Sequence, residues 1–289
     1  MRRSWKVGSW VPWGLLLSTL LEPCAAQSAV ELQSAALNES SGVAISTLDP
    51  QIVWTHNDSG DIPRLFAFTR GGQWIAELKL QGAAAVDWED MCSFQRDGKS
   101  YLAVGDVGDN LRKRTSVVIY ILEEPPLLPD PPLPKQLAIA DFERIEIQFS
   151  SGAVNCESLA YDPLEDRFLL ATKELLRCRL YSLAAQPNPQ GAVVVASHSL
   201  SLGVPLVTAA DISSDGRWLV LATYGPACLL RRGQCGRWDA SEGAVQILEL
   251  PARKQGESIC FADENAQLLL TSEFAPTPLW SIPFEGAGR

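Results

Sequence analysis

Short apolar runs recur along the chain, separated by turn-forming clusters of Gly, Pro, Asn and Asp. The run Glu143-Arg-Ile-Glu-Ile-Gln-Phe149 alternates polar and apolar residues with period two, the pattern of a half-buried strand. Five segments align with one another: Glu39-Ser-Ser-Gly-Val-Ala-Ile45, Glu89-Asp-Met-Cys-Ser-Phe94, Glu157-Ser-Leu-Ala-Tyr-Asp162, Thr208-Ala-Ala-Asp-Ile-Ser213 and Glu257-Ser-Ile-Cys-Phe-Ala262. Their starts are 50, 68, 51 and 49 residues apart. Each segment leads into a turn, such as Leu48-Asp-Pro50, Asp97-Gly98 or Asp215-Gly216, and then into a second apolar run, such as 52–54, 101–104 or 218–221. That order predicts a strand–turn–strand hairpin in every unit.

Third strands are expected at 65–68, 117–121, 179–183 and 279–282, and fourth strands at 74–80, 143–149, 193–202 and 244–250. The fifth unit ends near Pro283 without a fourth strand, and the strand-like stretch 29–33 lies before the first unit, where it can supply the missing one. Four short strands per repeat of about fifty residues predict an all-β chain folded as a β-propeller. The expectation is five blades closed by the N-terminal strand, with a six-bladed propeller as the alternative and a β-sandwich as the plainer one. The longest interval contains Pro125-Pro126-Leu127-Leu128-Pro129-Asp130-Pro131-Pro132-Leu133-Pro134, which reads as a polyproline loop between strands.

Residues 1–26 read as a secretory signal peptide: Arg2, Arg3 and Lys6, then an apolar run from Val11 to Leu21, then Cys24-Ala25-Ala26. The run is shorter than the roughly 20 residues a membrane span needs. The expected mature chain, 27–289, is one propeller domain without a span, secreted or periplasmic. Its loss of three bases and one acid moves the net charge further negative than the −10 of the whole chain, so nucleic acid is not an expected partner. Export permits disulfides. Of the six cysteines left, Cys228 and Cys235 are the expected pair across a hairpin tip, whereas Cys92 and Cys260 read as buried small hydrophobes. There is no Cys-x-x-Cys and there are two histidines in all, a poor basis for zinc.

Propeller geometry puts the starts of first strands and the ends of second strands at one mouth of the central channel. The residues expected there are Glu39, His56, Asn57, Asp58, Glu89, Asp90, Asp106, Asp109, Asn110, Glu157, Lys173, Glu174, Glu257 and Glu273. Such a ring of carboxylates is unfavourable unless it is compensated. Protonation, pairing with Lys173, Arg64, Arg112, Arg114 or Arg177, or a bound cation would each relieve it. Oxygen-only donors select calcium or magnesium, with Glu39, Glu89, Glu157 and Glu257 as the expected ligands. The plainer role for each Glu is to cap its blade, with Asp and Asn shaping turns. His56 is a candidate base. Asn38-Glu-Ser40 and Asn57-Asp-Ser59 match glycosylation sequons.

At Asn57-Asp-Ser-Gly60, Asp87-Trp-Glu-Asp90, Val104-Gly-Asp-Val-Gly-Asp-Asn110, Asn155-Cys-Glu-Ser-Leu159, Thr172-Lys-Glu174 and Gln255-Gly-Glu257 the chain resembles a family of secreted bacterial β-propellers. The resemblance covers most of the expected mature chain. It implies fold and export, and the family carries no firm activity to transfer. More loosely the chain is similar to phytase-like and NHL-type propellers. Calcium-dependent phytases set acids and bases together at one mouth, and here the bases near the mouth are few and scattered. The function expected is binding of a small molecule, glycan or extracytoplasmic protein at an acidic mouth, with calcium or magnesium. A metal-dependent hydrolase of a phosphoester, lactone or glycan is the alternative, with pairs such as Glu89 and Asp90 or Glu157 and Glu174 holding metal or moving protons. A structural scaffold is the third.

Overall fold

The computed structural model describes residues 29–128, 132–186, 191–238 and 245–286. The expected signal peptide, Pro129 to Pro131 of the proline-rich run and Ala244 lie outside them. The described residues form an all-β molecule of 21 strands. β1 (Ala29–Glu31) comes first. The first repeat unit is β2 (Ser40–Ile45), β3 (Ile52–Asn57), β4 (Arg64–Thr69) and β5 (Trp74–Leu80). The second opens with β6 (Trp88–Arg96), β7 (Lys99–Asp106) and β8 (Val117–Glu123). β9 (Lys135–Ile139) follows, and β10 (Glu143–Phe149) completes the second unit. The third comprises β11 (Ala160–Asp162), β12 (Arg167–Ala171), β13 (Cys178–Ala184) and β14 (Val194–Leu202). The fourth comprises β15 (Val207–Ile212), β16 (Trp218–Thr223), β17 (Ala227–Arg231) and β18 (Val245–Leu248). The fifth holds β19 (Cys260–Ala262), β20 (Gln267–Leu270) and β21 (Pro278–Pro283).

Within each unit consecutive strands pair antiparallel. The fifth unit is completed by β1, which pairs antiparallel with β21 in the register Ala29 to Trp280 and Glu31 to Pro278. The N-terminal stretch therefore supplies the missing strand. Leu32 and Leu37, just beyond it, are buried against Phe66, Phe68, Leu269 and Leu279, so the seam has an apolar core as well as a ladder.

Two pairings depart from the simple repeat. The segment after the proline-rich run is not all loop, because β9 adds to the outer edge of the first unit, parallel to β5. β10 and β14 pair parallel over Ile147–Phe149 and Val194–Ala196, joining the second and third units at their outer edges. Both additions cover strand edges that would otherwise be open to association.

The core is divided into five apolar clusters, each lying between two successive units. The cause is the period-two alternation of the strands. In β8, Ile119 and Ile121 face the cluster shared with the third unit, while Val118, Tyr120 and Leu122 face the one shared with the first. The first strands contact one another in the cyclic order β2, β6, β11, β15, β19 and back to β2. Sheets that bury both faces against neighbours around a central axis make a propeller-like ring.

The expected Cys228–Cys235 disulfide is absent: both are free thiols. Cys228 lies within β17, buried among Leu219, Leu221 and Leu230, while Cys235 is exposed in the turn that follows that strand. The pair therefore does not flank a hairpin tip. Cys92 and Cys260 are buried as expected, and burial pushes both thiols up.

Candidate functional site at the acidic mouth

The repeat brings the expected acids to one end of the axis, and the structure sorts them by role. Asp58 follows the last residue of β3, where its N–H donates to the Glu39 carbonyl at 2.9 Å. Its carboxylate belongs to two groups whose ligand oxygens lie within 4.8 Å of one another: Asp58, Asp87 and Glu89, and Asp58, Glu257 and Glu273. Glu157 sits beside them. Its two oxygens accept from Lys173 Nζ at 2.8 Å and from Asn155 Nδ2 at 2.7 Å. Lys173 Nζ also lies 3.7 Å from Glu257, which accepts from the Tyr224 hydroxyl at 2.9 Å and from Gln255 Nε2 at 3.0 Å.

Backbone geometry holds this arrangement. Lys173 N–H donates to the Asn155 carbonyl at 3.0 Å, and Glu273 N–H donates to the Gln255 carbonyl at 2.9 Å. The same closure therefore operates in the third and fifth units. Gly108 lies where a Cβ would come within 2.1 Å of Glu89 Oε1 and 2.5 Å of Asp87. Any side chain there would displace the Glu89 and Asp87 carboxyl groups. Asp87 did not stand out in the sequence as a rim acid. It precedes the first strand of its unit, and its side chain reaches the cluster from that connection.

Six carboxyl groups meet one ammonium here, and the consequence is visible in their acidities. Burial, opposed by the Ser59 N–H and aided by Glu257, Asp87 and Glu157, pushes Asp58 up to about 7. Burial and the charges of Glu157 and Asp58 raise Glu89 well above the carboxylate range. Burial and a carboxyl–carboxylate hydrogen bond to Glu257 push Glu273 up to about 9. Asp87 and Glu157 are also raised, burial being the largest cause in each. Lys173 loses some basicity to burial but regains more from the Glu157 charge, so it stays protonated.

Several expected site residues serve the framework instead. Asp90 is fully buried on the axis and accepts N–H bonds from Met91 at 2.9 Å, Leu159 at 3.0 Å and Ala210 at 3.1 Å, tying three units together. Asp106 accepts from Val86 and Asp87 N–H and pairs with Arg114 at 2.7 Å. Asp109 accepts from Lys113 and Arg114 N–H, closing its loop, and the exposed Asn110 accepts from Asn155. Glu174 pairs with Arg179 at 2.7 Å, away from the carboxyl groups. Glu39 is half-buried and outside both groups of close oxygens.

His56 is buried edge-on against Trp88, with ring centroids 5.6 Å apart, and burial pulls it down to about 4. It is fully buried, which keeps it from reaching a ligand at the mouth. Asn57 accepts from the N–H groups of Asn38 and Glu39 and donates to Ala36 and Asp61. Its amide is consumed by that cap, so this sequon is not an open glycan acceptor. Arg64 pairs with Asp61 at 2.8 Å and with Glu77, and so does not neutralise the cluster.

Around the acids runs a second feature. The loops between second and third strands each carry an exposed apolar side chain: Ile62, Leu111, Leu175 with Leu176, Tyr224 and Phe274 in units one to five. Leu176 is 85% exposed. The mouth is thus a buried acidic centre inside an apolar rim.

No family model matches the chain, and no curated protein matches it. Among solved structures, a luciferin-regenerating enzyme aligns over 90% of this chain and 96% of its own, with 10% identity and a TM-score of 0.47. A chain of a nidogen/laminin complex aligns over 81% of this chain and 72% of its own, with 13% identity and a TM-score of 0.47. Among the described residues no helix is long and apolar enough to cross a membrane.

Proposed function

We propose that the chain is a five-bladed β-propeller that binds a divalent cation, calcium or magnesium, at the acidic mouth and presents it to a ligand held by the apolar rim. The observation that carries this reading is Asp58, whose carboxylate is shared by two groups of close oxygens while Lys173 alone forms ion pairs within the cluster among the described residues. Two oxygens that ligate one calcium ion at about 2.4 Å can be at most about 4.8 Å apart, and these groups meet that limit. Oxygen donors without sulfur or imidazole suit hard cations. The cation would displace the proton that Glu273, pushed up to about 9, holds at neutral pH.

The blade count is supported by the five clusters between units and by the β1–β21 pairing. The export route and the chemical identity of the ligand belong to the same proposal. The exposed rim side chains favour a ligand with apolar surface, a protein segment or a substituted glycan rather than a bare ion.

A metal-dependent hydrolase is the second reading. It draws on Glu273, which is pushed up to about 9, keeps its proton at neutral pH and is hydrogen-bonded to Glu257. A protonated acid beside a metal-held water is the pairing that ester or glycoside hydrolysis uses.

The test is thermal unfolding in chelator, in millimolar calcium and in millimolar magnesium. The expected result is a higher Tm with metal, reversed by chelator and lost in the Asp58→Asn/Glu89→Gln double variant. Equal melting under all conditions would leave the carboxyl groups as blade caps alone.

A further inference from the structure

A cavity opens at the other end of the axis, beyond the Asp90 tie. It is formed where the first hairpins turn and has a volume of about 990 Å³. Every unit contributes to it. Its lining includes Phe94, Tyr161 and Phe261 together with Cys92, Cys260 and Asp211. Phe94 and Tyr161 stack with centroids 4.4 Å apart, giving a continuous aromatic wall. The exposed Gln95, Ser214 and Glu264 form its rim. Small-molecule sites have this character: concave, largely apolar and of a few hundred to a thousand Å³, with one or two placed polar groups.

The placed polar group is Asp211. It is half-buried, and its carboxylate accepts the N–H of Phe261 at 2.7 Å and that of Ile212. Among the described residues no cationic side chain forms an ion pair with it, and no Lys or Arg lines the cavity. Asp263, also in the lining, is already paired with Arg70 at 2.6 Å. Burial pushes Asp211 up to about 7, as expected for a carboxylate that lacks a counter-charge.

We infer that this cavity is a binding site for a small organic amine with an aromatic or apolar body, the ammonium pairing with Asp211 and the body lying along Phe94 and Tyr161. Charge complementarity selects the amine. A carboxylate-bearing ligand would bring a second negative charge against Asp211 with no base to hold it, and a neutral analogue would leave Asp211 without its partner. The site is separate from the acidic mouth and does not depend on the cation reading.

The test is calorimetric titration of the folded protein with three probes that share one ring system: tryptamine, tryptophol and indole-3-propionate. Tryptamine is expected to bind at least tenfold more tightly than tryptophol, and indole-3-propionate more weakly than either. Asp211→Asn should bring tryptamine down to the tryptophol level. Gln95→Trp, an exposed rim change that narrows the opening, should weaken both and does not touch the Asp211 hydrogen bonds, so it serves should Asp211→Asn fail to fold. Because the far mouth is also acidic, Asp58→Asn is titrated in parallel. Equal affinity for amine and alcohol, no binding of any probe, or amine affinity that follows Asp58 rather than Asp211 would each overturn the inference.

Discussion

Replacing Asp58 with Asn should make the metal-free protein more stable at alkaline pH, an advantage that added calcium removes by stabilising the wild type alone. The reasoning starts from the carboxyl group, which moves from an ordinary value of 3.8 to about 7 on folding. A raised folded value means that the native state holds the proton more tightly than the unfolded chain. The contribution to stability is complete below about pH 4 and is lost as the pH rises through about 7. Roughly three pH units at about 1.4 kcal/mol each amount to about 4 kcal/mol. Solvent screening at a half-buried position reduces this to about 2–3 kcal/mol.

Asparagine cannot ionise, so in chelator at pH 8 the Asp58→Asn variant should be more stable by about that amount, and at pH 4 the two proteins should coincide. For a chain of this size the difference is about 4–10 °C in Tm. Calcium at a hundredfold its dissociation constant then adds about 2.7 kcal/mol to the wild type and nothing to the variant, bringing the two back together. The assay is differential scanning calorimetry from pH 4 to 8, with chelator and with calcium. Wild-type and variant Tm values that run parallel across the whole pH range in chelator would refute the reasoning, because Asp58 would then carry no penalty for a cation to relieve.

Other outcomes follow from the same geometry. Gly108→Ala should abolish the calcium-dependent rise in Tm, since the added methyl would push Glu89 and Asp87 apart; an unchanged rise would mean that the loop gives way freely. Leu37→Ala, at the seam where β1 closes the ring, should cost about 2–5 kcal/mol in denaturant unfolding, and a cost near zero would show that the seam does not hold the ring. Asp90→Ala strands the N–H groups of Met91, Leu159 and Ala210 and should cost more than about 3 kcal/mol, with partial rescue in Asp90→Asn. In the folded chain from residue 27 onward, thiol titration should find one fast-reacting cysteine, Cys235, the other five being buried; no fast thiol would point to a disulfide after all.

Much of the architecture was legible because a period-two strand pattern and a repeat of about fifty residues are local signals. The hairpins, the fourth strands and the closing role of the N-terminal stretch all depend on which residues alternate, and alternation survives in a single chain. What was not legible depends on pairing between distant segments. β9 follows a proline-rich run, and nothing near Lys135–Ile139 signals that β5 is its partner. Likewise Cys228 and Cys235 look like a hairpin pair until the third strand of the fourth unit is seen to contain Cys228.

The site divides along the same line. The sequence pattern assembles the acids at one mouth, yet neighbouring acids in one motif have opposite fates. In Asp87-Trp-Glu-Asp90 the side chain of Glu89 joins the cluster, while that of Asp90 turns to the axis and is consumed by three backbone N–H groups. A repeat marks the position of an acid but not the donors that meet it. Thus Asp106, Asp109 and Glu174, which look like rim acids, are already satisfied by backbone or Arg, and Asp87 reaches the cluster from a connection outside the aligned segments.

The central claim is that the acidic mouth holds a divalent cation, and calcium titration by isothermal calorimetry on chelator-stripped protein tests it most directly. The account predicts saturable binding in wild type, accompanied by proton release as Glu273 gives up its proton, so that the measured heat changes with the ionisation enthalpy of the buffer. Asp58→Asn should abolish both the heat and the proton release. A flat titration with calcium and with magnesium, or binding that persists unchanged in Asp58→Asn, would contradict it.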